Sequence, residues 1–142
     1  MSRIERSAIV RRPASVMFQL VHDVEGYPGR FRWCEHSAIL QRGENELVAR
    51  LDLRMAGISQ SFTTRNRFEP DRRIDLGLVD GPFSRLAGAW VFQPLTEEAC
   101  KVSLALDFEM AGRFVGSALA GGFRTLADKL VDEFVREARR GP

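Results

Sequence analysis

The sequence predicts an α+β fold: a curved antiparallel sheet of about seven strands wrapped around a long C-terminal helix, with two short helices after the first strand. Two observations carry it. From Cys34 to Met110 apolar and polar residues alternate with period two, broken at regular intervals by Gly, Pro, Asn and Asp turn signals. From roughly Arg113 to Arg139 the apolar residues recur at helical spacing instead.

Ile4 to Val10 reads as the first strand. Pro13 then fits the first turn of a helix, where its missing N–H is no loss, and Val16, Met17, Leu20, Val21 and Val24 follow at helical spacing. Gly26-Tyr27-Pro28-Gly29 ends that helix, and a short irregular or helical piece around Phe31 and Trp33 follows. Ser37 to Arg42 is the second strand. Leu47, Ala49, Leu51, Leu53 and Met55 line one face of the third, and Ala56-Gly57 turns the chain into the fourth. After Pro70-Asp71, Ile74, Leu76 and Leu78 alternate up to Asp80-Gly81-Pro82. Leu86 to Phe92 is the sixth strand and Pro94 to Glu98 a turn. Val102, Leu104, Leu106, Phe108 and Met110 mark the seventh. The final helix carries Leu119, Phe123, Leu126, Leu130 and Phe134 on one face, with Arg124, Asp128, Asp132, Glu133 and Arg136 opposite. Gly116, Gly121 and Gly122 each cost such a helix about 1 kcal/mol relative to Ala. Small residues there either let the backbone approach a neighbour or leave room beside it.

With 142 residues, residues 1–142 read as a single domain large enough to bury a core. No apolar run approaches the ~20 residues that span a bilayer. The N-terminal residues enter a charged, alternating segment directly, without a secretory core. The expectation is a cytoplasmic protein, with peripheral contact to the inner membrane as a further possibility of placement. Cys34 and Cys100 fit no metal spacing and read as two reduced, buried thiols. Net charge is +2, yet of 21 cations only Lys101 and Lys129 are lysines. A GC-rich genome accounts for that bias, as does a need for guanidinium forks that suit phosphate.

The fourth strand is unusual. One face carries Ile58, Gln60, Phe62, Thr64, Asn66 and Phe68, the other Ser59, Ser61, Thr63, Arg65 and Arg67. Unpaired polar groups sealed in a core cost about 1–3 kcal/mol each, so aromatics mixed with amides and hydroxyls suggest a pocket wall. A sheet curled around one helix leaves a concavity. Trp33, Phe62, Trp90, Phe92, Leu104, Phe108, Phe123, Leu126 and Leu130 are the candidates to line it. Each alone reads equally well as plain core. A ligand is expected to enter between the sheet and the Gly116–Gly122 stretch.

Catalysis and metal binding find little support. His22 and Asp23 lie near a helix end and point in different directions, which assigns surface or capping roles. In an extended Cys34-Glu35-His36 the thiol and imidazole share a face, but no third group orients them. Asp107 and Glu109 fall on the strand face opposite Leu106, Phe108 and Met110. Pairing the third and fourth strands with residue numbers summing to about 115 sets Arg50 opposite Arg65 and Arg54 near Ser61. With Arg67 this makes an outward basic stripe, a candidate RNA contact.

Several segments together carry a family likeness: Phe18-Gln-Leu-Val-His-Asp-Val-Glu-Gly-Tyr-Pro28, Trp33-Cys34, Ala56-Gly-Ile-Ser-Gln-Ser-Phe-Thr-Thr-Arg-Asn66, Leu78-Val-Asp-Gly-Pro-Phe83, Trp90-Val-Phe-Gln-Pro-Leu-Thr-Glu-Glu-Ala-Cys100 and Leu106-Asp-Phe-Glu109. They resemble the RatA and coenzyme Q-binding protein family, within the START-like polyketide cyclase/dehydrase and lipid transport superfamily. The likeness runs in order through nearly the whole chain. It implies the START-like helix-grip fold. It also implies two functions: binding ubiquinone in support of respiratory electron transfer, or association with the large ribosomal subunit as a toxin that blocks subunit joining. The expected role is therefore a non-enzymatic protein holding ubiquinone or a similar isoprenoid lipid, with no covalent cofactor and no DNA partner. Ribosome association is the alternative, and a cyclase- or dehydratase-like enzyme the weaker one. Where the family reads Tyr-Pro-x-Phe-Leu-Pro, this chain has Tyr27-Pro28-Gly29-Arg30-Phe31-Arg32, two arginines near the expected cavity mouth.

Overall fold

A computed structural model describes residues 2–140. Its strands are β1 (Ser2–Val10), β2 (Cys34–Arg42), β3 (Glu46–Met55), β4 (Ile58–Glu69), β5 (Arg73–Asp80), β6 (Phe83–Thr96) and β7 (Ala99–Met110). Its helices are α1 (Ala14–His22), α2 (Tyr27–Arg30) and α3 (Ala118–Arg140). All seven strands pair antiparallel in one sheet ordered β1-β7-β6-β5-β4-β3-β2. Strands β2 to β7 form a meander, and β1 closes beside β7 from Ser2↔Phe108 to Val10↔Cys100. The chain must therefore travel from one sheet edge to the other between β1 and β2. At about 4.8 Å per strand that is roughly 29 Å, and α1 and α2 make the crossing.

The architecture is the one expected, with local differences that have physical causes. In α1 the buried face is Ala14, Met17, Phe18 and Val21, so Phe18 replaces Val16, which is exposed. Phe18 packs against Phe92 at 5.7 Å and Phe68 at 6.2 Å, a gain of aromatic contact that sets the helix rotation. Gly26-Tyr27-Pro28-Gly29 does not stop the chain. It begins α2, with Pro28 in the first turn, where no N–H is needed. Strand β2 starts at Cys34, three residues earlier than expected. Strand β6 outgrows its expected bounds at both ends, because bulges at Phe83/Arg85 and Pro94/Thr96 absorb the irregular residues, Pro94 included. Helix α3 begins at Ala118 rather than near Arg113. Gly116 lies before it at φ +74°, and the Ser117 hydroxyl accepts the Ala120 N–H at 3.2 Å as a cap. Gly116 thus serves a turn and costs the helix nothing.

Two aromatic clusters on the concave face grip α3. Phe123 meets Phe62, Phe83 and Phe108 with ring centroids 5.3, 4.8 and 5.0 Å apart. Phe134 meets Tyr27, Phe31 and Trp90 at 5.4, 4.8 and 5.2 Å. The buried alternation on β7, from Cys100 through Met110, is the one the sequence pattern predicts.

On β6, Gly88 is dictated by close approach. A Cβ there would lie 2.5 Å from the Ala105 carbonyl oxygen and 3.1 Å from Leu106 Cα, both backbone atoms that cannot yield cheaply. Gly88→Ala is expected to destabilise the protein by about 1–3 kcal/mol, read as a lower denaturant midpoint. An unchanged midpoint would contradict this packing.

Candidate functional site

A cavity lies where α3 stands off the sheet. It is lined by Ala49, Leu51 and Leu53 of β3, Phe62, Thr64 and Asn66 of β4, Leu76 of β5, and Leu86 and Trp90 of β6. Phe123, Leu126, Ala127, Leu130 and Phe134 of α3 close it, with Val24, Tyr27 and Trp33 at the side. Its volume is about 120 Å³. That approaches the ~150 Å³ apolar cavity known to accept benzene and falls below the ~300 Å³ where sites for larger ligands begin.

Of the nine residues expected to line the cavity, Trp33, Phe62, Trp90, Phe123, Leu126 and Leu130 do so. Phe92, Leu104 and Phe108 do not. They face inward from β6 and β7, but Phe92 is covered by Phe18 of α1 and Phe108 by Phe123 of α3, leaving plain core. The open part of the concavity lies over β3 to β6. Tyr27, Ala49, Leu51 and Leu76 were the main lining residues not expected. The alternation of β3 and β5 pointed to their faces, but not to which part of the sheet α3 would leave uncovered. In the Gly116–Gly122 stretch, Gly122 packs closely, with an added Cβ 3.0 Å from Met55 Cβ and 3.2 Å from Ala56 Cβ, while Gly116 and Gly121 have open space beside them. At Gly122 the absence of a side chain permits that close approach.

The polar groups at the cavity are arranged tightly. Thr64 Oγ1 donates to Asn66 Oδ1 at 2.7 Å, and Asn66 is only 8 % exposed. Gln60 does not line the cavity. The Tyr27 hydroxyl donates to the Val21 carbonyl, and burial holds its pKa well above the usual phenol range. Trp33 Nε1 donates to Glu133 Oε1 at 3.1 Å. Arg30 does not stand at a cavity mouth as a free cation: it pairs with Asp23 at 2.9 Å. Arg32 is exposed.

The basic stripe is rearranged by the β3–β4 turn. Ala56 and Gly57 alone make it, both at positive φ, so paired residue numbers sum to 113 and not to about 115. Arg50 faces Thr63 and Arg54 faces Ser59. Each arginine has an acidic neighbour: Arg50 meets Asp52 at 3.0 Å, Arg54 meets Glu35 at 3.3 Å, and Arg65 and Arg67 share Glu46 at 3.7 and 3.4 Å. The like-charge juxtaposition expected from the longer turn is absent.

The chemical-looking pairs are pulled apart. A bulge between Cys34 and His36 buries the thiol and leaves the imidazole exposed, so they do not share a face. Cys34 Sγ instead contacts the His36 carbonyl at 3.4 Å. His22 is half-buried and packs between Phe18 and Phe68, at 5.2 and 4.5 Å. Its pKa is lowered by burial and then by Arg42. Asp107 pairs with Arg3 at 2.7 Å. Among the described residues, no group of three or more His, Cys, Asp or Glu side chains could hold a metal ion.

Burial, followed by the Asp52 and Glu35 carboxylates, pushes the Cys34 thiol up to about 11 from an ordinary 9.0. The fold therefore favours the neutral thiol, and the unfolded chain loses its proton first. Stability is expected to hold below pH 9 and to fall between pH 9 and 11, with a shallower fall in Cys34→Ala. Iodoacetamide should label native Cys34 far more slowly than the unfolded chain at pH 7.5. Equal labelling rates would contradict this burial.

Comparison with known proteins agrees with this architecture. Residues 10–135 match the family model described as polyketide cyclase/dehydrase and lipid transport. The ribosome association toxin RatA of Vibrio cholerae is 42% identical over 140 residues, covering 99% of this chain and 97% of that protein. RatA of Escherichia coli is 40% identical over 139 residues, covering 98% and 88%. Among solved structures, the Zhui aromatase/cyclase of a Streptomyces species superposes with a TM-score of 0.85 at 24% identity, covering 98% of this chain and 94% of that one, a likeness of fold alone. With a curved seven-stranded sheet gripping α3 and a family model spanning almost every element, the chain belongs to the polyketide cyclase/dehydrase and lipid transport family, among its RatA members.

Proposed function

We propose that this chain is a non-enzymatic protein that holds a hydrophobic small molecule, ubiquinone or a similar isoprenoid, in support of respiratory electron transfer. One observation carries the reading: the cavity between α3 and β3 to β6 has no charged side chain in its lining. An apolar occupant gains about 0.8 kcal/mol per buried CH₂. General acid–base catalysis, by contrast, needs a titratable group within hydrogen-bond reach of the substrate, and the one phenol present is committed to Val21. The cavity's size means that a quinone ring with its tail enters only if α3 moves away from the sheet. A cytoplasmic placement with peripheral membrane contact fits such a carrier. No helix among the described residues is long and apolar enough to cross a membrane.

Protein purified from its own host is expected to release a quinone on lipid extraction, and added ubiquinone should raise the melting temperature. Leu126→Trp, which fills the cavity, should weaken ligand binding by tenfold or more while circular dichroism stays native. No extracted quinone together with no thermal shift would defeat the reading.

A second reading, association with the large ribosomal subunit, is favoured by the ribosome association toxins RatA, which match this chain over nearly its full length. The four arginines of β3 and β4 would then exchange their carboxylate partners for phosphate. Co-sedimentation with ribosomal subunits is expected to persist at physiological salt. Binding confined to very low salt would sink it.

A further inference from the structure

We propose that Asn66 selects the occupant of the cavity, which is a neutral molecule bearing a carbonyl or similar acceptor oxygen that takes a hydrogen bond from the Asn66 amide. This rests on the reading of the cavity as an apolar-ligand site and adds to it the residue that reads the ligand's polar end. The lining carries no charged side chain, so a carboxylate or phosphate inside would be buried without a counter-ion. Among the polar side chains present, most donors are already spent. Tyr27 donates to Val21, Trp33 to Glu133 and Thr64 to Asn66 Oδ1. A hydroxyl has one proton to give, and by placing it on Oδ1 Thr64 fixes the amide's orientation and leaves its two N–H groups free. The cross-strand neighbours of Asn66 are Leu47 on β3 and Leu76 on β5, neither of which has a side-chain acceptor. Asn66 is more than nine-tenths buried, and its amide nitrogen keeps a small accessible area in the cavity wall. A donor held in this way, in an otherwise apolar wall, recognises an acceptor and adds nothing for a hydrocarbon.

The test compares 2-methyl-1,4-naphthoquinone with 2-methylnaphthalene, which keeps the rings and lacks the carbonyls, by isothermal titration calorimetry on the full chain. The quinone is expected to bind about tenfold more tightly, equivalent to about 1.4 kcal/mol. Asn66→Leu should remove that preference by weakening the quinone alone. In the unmodified protein, the Asn66 side-chain amide resonances should shift on adding the quinone and stay in place with the hydrocarbon, a measurement that decides the matter even if the variant does not fold. Equal affinities with unmoved Asn66 resonances would overturn the role of Asn66 and leave the cavity reading standing. Binding of neither compound would overturn both.

Discussion

The grip on α3 at two points sets everything else in this molecule. Phe123 and Phe134 are eleven residues apart, about 16 Å along the helix axis, and each sits in its own aromatic cluster from the sheet and the α1–β2 connection. Large rings at both ends hold the helix at a fixed height. Between them Leu126, Ala127 and Leu130 are too small to fill that height, and the space they leave is the cavity. The site is thus a consequence of how the helix is held. An occupant larger than the present volume has to displace one of the aromatic clusters, and for that reason ligand size and stability are coupled here.

The two faces of the sheet solve different problems. On the concave side the cost is an amide and a hydroxyl inside an apolar wall, reduced by their bond to each other. On the convex side of β2 to β4 the arginines are matched by Glu35, Glu46 and Asp52, mostly half-exposed pairs each worth little alone. Their value lies in removing like-charge contact between strands. A phosphate partner at this face meets neutralised cations, which moderates the electrostatic attraction that the arginine count alone would suggest.

Much was legible in the residues. Period-two alternation placed every strand of the meander, and the apolar alternation of β7 is buried as the pattern implies. Of the residues on one face of β4 that suggest a pocket wall, Phe62, Thr64 and Asn66 line the cavity and Gln60 does not. Less legible were features that depend on one residue of register. The two-residue turn at Ala56-Gly57 moved Arg50 from Arg65 to Thr63, and the bulge after Cys34 separated a thiol from an imidazole that simple alternation would have joined. Bulges and turn lengths are settled by the partner strand, which a local pattern does not contain.

By itself the sequence determined the curved sheet around a terminal helix, the buried reduced cysteines and the polar marks on an inward face, because each is encoded in side-chain periodicity and local chemistry. Only the tertiary structure decided which inward residues meet open space. Phe92, Leu104 and Phe108 have the same pattern as Phe62 and Trp90, yet the first three are packed as plain core while the other two, though touched by Phe123 and Phe134, also border the cavity. That distinction depends on where α1 and α3 rest across the sheet, a matter of packing between separate elements, such as Phe18 against Phe92 and Phe123 against Phe62.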